Sequence, residues 1–137
     1  MEEHESYLQK LLSRGAYTKG DLRRKLKARG CPSDFADGLL DRYEELGLID
    51  DQVYAVLFVD SHPDWSIRRI SDSLREKGVS RDFIAYALEE GEIDEDQRAA
   101  ELVRGWRPSV EDRRIVGRLE RRGFPRSVIF RAVRALP

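Results

Sequence analysis

Leu22-Arg23-Arg24-Lys25-Leu26-Lys27-Ala28-Arg29-Gly30-Cys31 reads apolar, three residues, apolar, two residues, basic, glycine, apolar. The chain writes that pattern twice more. The second copy is Ile70-Ser71-Asp72-Ser73-Leu74-Arg75-Glu76-Lys77-Gly78-Val79, and the third is Ile115-Val116-Gly117-Arg118-Leu119-Glu120-Arg121-Arg122-Gly123-Phe124. Gly30, Gly78 and Gly123 stand 48 and 45 residues apart. A period of that size marks an array of small helical units, not a single deep core. Function is then expected on surfaces and between units, not in a buried catalytic pocket.

Each unit reads as three helices. In the first, Tyr7, Leu8, Leu11 and Leu12 share a helical stripe that Gly15 ends. Thr18 with Asp21 opens a second helix, whose apolar face is Leu22 and Leu26. Ser33 is expected to cap a third, carrying Phe35, Leu39, Leu40, Tyr43 and Leu46. Leu48-Ile49-Asp50-Asp51 then forms a hinge, with both apolar residues plugging the core and an aspartate capping the next helix.

The second unit places Val53, Tyr54, Leu57 and Phe58 on its first helix. His62-Pro63-Asp64 breaks the chain, and Ser66 and Ser80 cap the two helices that follow. The third unit runs through Leu102, Val103 and Trp106, breaks at Pro108, and restarts with Ser109 and Asp112 as the expected capping pair. Pro125 suits the first turn of a last helix carrying Val128, Ile129, Val133 and Leu136. No strand pattern occurs. The expected fold is all-α: three tandem three-helix repeats over 1–49, 50–92 and 93–137, forming an elongated, curved helical array.

Composition fits this plan. Charged residues make up 37% of the 137 residues and hydrophobic ones 40%, which suits helices with one apolar stripe. A lone Cys31 excludes an internal disulfide. No apolar run reaches the ~18 residues of a membrane span, so a soluble, cytoplasmic protein is expected, with no long heptad seam to suggest a coiled-coil dimer. Net charge is −1, but it is unevenly spread. Residues 51–93 carry five Lys/Arg against nine Asp/Glu, while Arg104 onward carries ten Arg against three acids. Such a basic block meets phosphates or an acidic protein.

No catalytic or metal constellation stands out. Two histidines and one cysteine make no zinc pattern, and Cys31 occupies the slot of Val79 and Phe124, a small core position. Asp50-Asp51 and Asp94-Glu95-Asp96 read as caps at repeat junctions. No enzyme activity and no cofactor are expected.

The binding candidates are basic. Arg23, Arg24, Lys25 and Lys27 crowd the second helix of the first repeat. Arg68 and Arg69 open its counterpart in the second, and Arg113, Arg114, Arg118, Arg121 and Arg122 lie on that of the third. The helix dipole accounts for Arg29, Lys77 and Arg122 near C-termini, but not for Arg68, Arg69, Arg113 and Arg114 at N-termini. Trp65, in a turn beside Arg68 and Arg69, reads either as packing or as a partner anchor.

The run Tyr17-Thr18-Lys19-Gly20-Asp21-Leu22-Arg23-Arg24-Lys25-Leu26, with Leu46-Gly47-Leu48-Ile49-Asp50-Asp51, Tyr54-Ala55 and Phe58-Val59, resembles bacterial RecX regulatory proteins. Ser66-Ile67-Arg68-Arg69-Ile70 through Val79 is similar to that family's second repeat. The resemblance implies three tandem three-helix repeats and a modulator of the RecA recombinase. It implies RecA and the RecA–single-stranded-DNA filament as partners, inhibition of ATP hydrolysis and strand exchange, and some direct DNA binding. Asp60-Ser61-His62-Pro63-Asp64-Trp65 departs from it, since the family carries more basic residues there. The rival readings are a helical DNA-binding protein independent of RecA and a generic helical adaptor. A monomer is expected.

Overall fold

The computed structural model describes residues 1–135, so Leu136 lies outside them. Among the described residues there are nine helices and no strand: α1 (Glu2–Arg14), α2 (Lys19–Ala28), α3 (Ser33–Glu45), α4 (Asp51–Ser61), α5 (Ile67–Glu76), α6 (Arg81–Glu90), α7 (Glu95–Trp106), α8 (Asp112–Arg121) and α9 (Arg126–Ala135). They form three tandem triplets in an elongated array, each with its own core. The first buries Leu8, Leu11, Leu22, Leu26, Leu40 and Ile49. The second buries Ala55, Val59, Ile70, Leu74 and Ile84, and the third Val103, Ile115, Leu119, Phe124 and Ile129.

The repeated decapeptide has a structural cause. Its glycines hold φ of +83°, +85° and +90°, a backbone that other residues adopt only with strain. They end α2, α5 and α8 in Schellman turns. Cys31, Val79 and Phe124 then donate their amides to the carbonyls of Leu26, Leu74 and Leu119, at 3.0, 3.0 and 3.1 Å. The turn drives the side chain after each glycine into the core, where Cys31, Val79 and Phe124 are all buried. Burial also pushes the Cys31 thiol pKa up, consistent with a core role.

Several caps form as expected. Thr18, Asp50, Ser66, Ser80 and Asp94 each accept a hydrogen bond from the amide three residues on. Two do not. α3 starts from Pro32, whose carbonyl accepts from Ala36, so Ser33 is already inside the helix. α8 starts from Glu111 with no side-chain cap, and Ser109 stays in the preceding turn. Arg107 stabilises that end instead, reaching Asp112 at 3.2 Å and the Val133 carbonyl at 2.6 Å.

The apolar residues of α4 divide between core and surface, with Tyr54 and Phe58 packed against the second core. The core face of this helix is Asp51, Ala55 and Val59, which packs on α6. Val53 and Leu57 point outward, 51% and 58% exposed. In the hinge before it, only Ile49 plugs the core; Leu48 and Leu46 face solvent.

Candidate partner-binding groove

The joints between repeats set the site. At the first joint the Thr18 hydroxyl, besides capping α2, donates to the Lys77 carbonyl at 2.6 Å. At the second, the Ser66 hydroxyl caps α5 and donates to the Arg122 carbonyl at 2.7 Å. A carboxylate from the following repeat completes each joint. Asp51 accepts from the Lys19 amide at 2.9 Å, and Glu95 from the Ile67 amide at 3.0 Å. Burial pushes the Asp51 pKa above the usual carboxylate range, with the Lys19 amide opposing the shift. Hydroxyl and carboxylate together satisfy amides and carbonyls that helix ends otherwise leave open. The sequence signals the caps, but not the bonds they make across the joint.

The two joints differ at one position. Gly20 follows Lys19 in α2, and Gly20 and Gly78 meet backbone to backbone. The corresponding residue of α5 is Arg68, whose stem lies against Gly123. Beside it a groove of about 810 Å³ opens between α5 and α8. Arg68, Arg69 and Trp65 line one wall; Arg118, Arg121 and Arg122 line the other. Asp72, Glu76 and Glu120 also line it, so it is mixed in charge with an excess of cations. A second, wholly cationic surface adjoins it on α8, formed by Arg113, Arg114, Arg118 and Arg121 around Gly117.

Several of the predicted residues are partly engaged by neighbours. Arg69 lies 3.9 Å over the Trp65 ring, and Arg118 and Arg122 each lie 5.1 Å from the Trp106 ring. Arg122 also reaches Asp64 at 3.2 Å, and Arg68 lies 3.9 Å from Asp72. Among the described residues, Arg113, Arg114 and Arg121 have no ion-pair partner, which leaves their charges available to a ligand. Trp65 belongs to both readings. It packs on His62 and Phe58, at 4.0 and 5.7 Å between ring centres, and it also lines the groove.

The α2 cations stand apart from this site. Arg23 pairs with Asp37 at 2.7 Å and Arg24 with Asp21 at 2.5 Å, while Lys25 lies 5.6 Å from the Tyr17 ring. Lys27 is exposed on the same helix. Sequence reasoning missed Arg98, which donates to the carbonyls of His62 and Trp65 at 2.8 and 3.0 Å. From the third repeat it pins the turn that carries Trp65. Its polar place in α7, level with Tyr54 in α4, is the signal that marks it. Among the described residues no group of three or more His, Cys, Asp or Glu is placed to hold a metal ion.

Known proteins match this architecture. No protein-family model matches the chain. Regulatory protein RecX of Thermobifida fusca (strain YX) is 33% identical over 136 residues, covering 91% of this chain and 74% of its own. The chain belongs to the RecX family. Regulatory protein RecX of Thermus thermophilus is likewise 33% identical, covering 94% of this chain and 89% of its own. A crystal structure of regulatory protein RecX superposes with a TM-score of 0.75 at 27% identity, covering 92% of this chain and 68% of that one. The RecX chain therefore shares its fold with that structure. Among the described residues of this RecX chain, no helix is long and apolar enough to cross a membrane.

Proposed function

We propose that this RecX chain regulates the RecA recombinase by binding RecA or its filament on single-stranded DNA, and that it lowers ATP hydrolysis and strand exchange. The observation that carries this reading is the unpaired arginine surface of α8 beside the α5–α8 groove, in a chain of a regulatory family. Arg113, Arg114, Arg118 and Arg121 supply the anion contacts, and Arg68, Arg69, Arg122 and Trp65 form the groove behind them. Arg23, Arg24, Lys25 and Lys27 contribute a weaker, outlying face.

An elongated array suits a filament. Repeats over 1–49, 50–92 and 93–137 act as three linked contacts, and linkage makes their combined hold far stronger on an assembled filament than on one subunit. A ligand that favours one filament state shifts assembly by its differential affinity. Direct DNA contact through the α8 arginines is a component of the same reading. Four phosphate contacts on a single strand give a log-affinity against log-salt slope of about −3.

The test is single-stranded-DNA-dependent ATP hydrolysis by RecA of the same source, with this protein titrated in. Substoichiometric inhibition is expected at concentrations that leave bare DNA unbound. The triple change Arg113→Glu, Arg114→Glu, Arg118→Glu should abolish it with the helical circular dichroism unchanged. No effect on ATPase or filament length refutes the reading and promotes a DNA-only binder or an adaptor. An unchanged triple variant removes the α8 site.

A further inference from the structure

Half of the apolar stripe of α4 stays outside the core. Tyr54 and Phe58 pack against the second core beside buried Ala55 and Val59, but Val53 and Leu57, at the same helical spacing, do not. Val53 and Leu57 stand more than half exposed, and Tyr54, Leu57 and Phe58 line a shallow cleft of about 630 Å³ with His62. The repeat fold does not require this. α7 is the same helix one repeat on, its N-cap Asp94 matching Asp50. It carries Gln97 where α4 has Val53, and Glu101 where α4 has Leu57. Gln97 and Glu101 are exposed and hydrogen-bonded to each other at 3.2 Å. The apolar outer face is thus peculiar to repeat two, and a surface patch of this kind marks a protein contact.

Charge says which partner. From Tyr43 to Ile67 there is no Lys or Arg, while Glu44, Glu45, Asp50, Asp51, Asp60 and Asp64 lie in the same stretch. Glu44 is paired with Lys19 and Asp64 with Arg122, which leaves Glu45, Asp50 and Asp60 exposed and without an ion pair, Asp60 on the cleft itself. An apolar strip with an acidic border repels nucleic acid and complements a helix with an apolar face and Lys/Arg flanks. We propose that the outer face of α4 docks a cationic amphipathic helix presented by a partner protein. It is a second binding surface, separate from the arginine groove, and it does not depend on the reading of that groove.

The experiment uses the full chain and two labelled 18-residue helical peptides with one leucine face, one flanked by lysines and the other by glutamates. Binding is followed by fluorescence anisotropy. The lysine peptide is expected to bind at least about tenfold more tightly than the glutamate peptide. The double change Val53→Gln, Leu57→Glu installs the residues that α7 carries at these positions. It should weaken the lysine peptide about tenfold or more while the helical signal and melting temperature hold. The Arg113→Glu, Arg114→Glu change should leave peptide binding intact. Equal affinity for the two peptides, or full binding by the Val53/Leu57 variant, overturns the proposal. Either result leaves the groove reading standing, since that is tested by RecA ATPase.

Discussion

Replacing Gly20 by alanine sets two effects of opposite sign against each other. Gly20 lies inside α2, and alanine in a helix interior is favoured over glycine by about 1 kcal/mol. But a methyl group there would fall 2.6 Å from the Lys77 carbonyl oxygen and 3.1 Å from the Gly78 Cα. Both are backbone atoms, so neither can swing aside. The joint must open by several tenths of an ångström, and overpacking of that kind costs about 1–3 kcal/mol. Opening also stretches the Thr18–Lys77 and Lys19–Asp51 hydrogen bonds, worth about 0.5–1.5 kcal/mol for the neutral bond and more for the one to the carboxylate. The joint terms win, and Gly20→Ala should destabilise by about 1–3 kcal/mol. Gly38 in α3 is the control, since a methyl group there meets nothing within 4 Å. Gly38→Ala should stabilise by about 0.5–1 kcal/mol. Urea unfolding followed by helical circular dichroism reads both. Because neighbour coupling holds a repeat array together, Gly20→Ala should also broaden the transition. If Gly20→Ala raises the midpoint as Gly38→Ala does, the packing account of the joint is wrong.

Thr18→Val and Ser66→Ala each remove a cap and a bond between repeats, so each should cost about 1–3 kcal/mol in urea unfolding. Ser80→Ala, which loses a cap alone, should cost less, about 1 kcal/mol; equal losses at all three would show that the cross-joint bonds contribute nothing. Asp51 binds its proton more tightly in the folded chain than in the unfolded one, so its contribution is fully present below its ordinary pKa and is lost as pH rises through the raised value. An asparagine at this position keeps an acceptor for the Lys19 amide without the charge. The stability of Asp51→Asn minus that of the unsubstituted chain should therefore grow as pH rises from the acid range to neutrality in paired urea titrations, and a flat difference would contradict it. Cys31, buried and with its pKa raised, should react with a thiol reagent in the native chain many-fold more slowly than in denaturant; equal rates would place it at the surface.

The fold was legible because one physical device is written three times. A glycine at positive φ between a basic residue and an apolar one specifies a Schellman end, and the flanking leucines and isoleucines specify the buried side. Hydroxyls at Thr18, Ser66 and Ser80 mark helix starts correctly. Ser33 and Ser109 do not, because Pro32 and Glu111 take those positions and a serine one residue inside or two outside caps nothing. The α4 face escapes the sequence for a different reason. Periodicity groups Val53, Tyr54, Leu57 and Phe58 together, but only Tyr54 and Phe58 reach the core, beside small Ala55 where α6 packs. The arginines were legible as charge but not as a site, since only the joints decide that α5 and α8 line one groove while α2 stands outside it.

The groove's position follows from the one place where the joints are unequal. Thr18 and Ser66 do the same work, as do Asp51 and Glu95, so the two joints share their hydrogen bonds. What differs is the residue two places after the cap. With Gly20 there, α2 lets the Gly78 turn of α5 close onto bare backbone. With Arg68 there, a long side chain lies across the Gly123 turn, and its guanidinium joins the wall that Arg118 and Arg121 face. Arg68 therefore packs against the second joint's turn and supplies one of the groove's charges. The start of α8 departs from the other two starts. Glu111 stands where Thr18 and Ser66 stand, and a carboxylate has no proton to donate to a following carbonyl. Arg113 and Arg114 follow Glu111 in the first turn of α8, and both are exposed. The absence of a hydroxyl cap and the exposure of the cationic surface thus meet in the same turn.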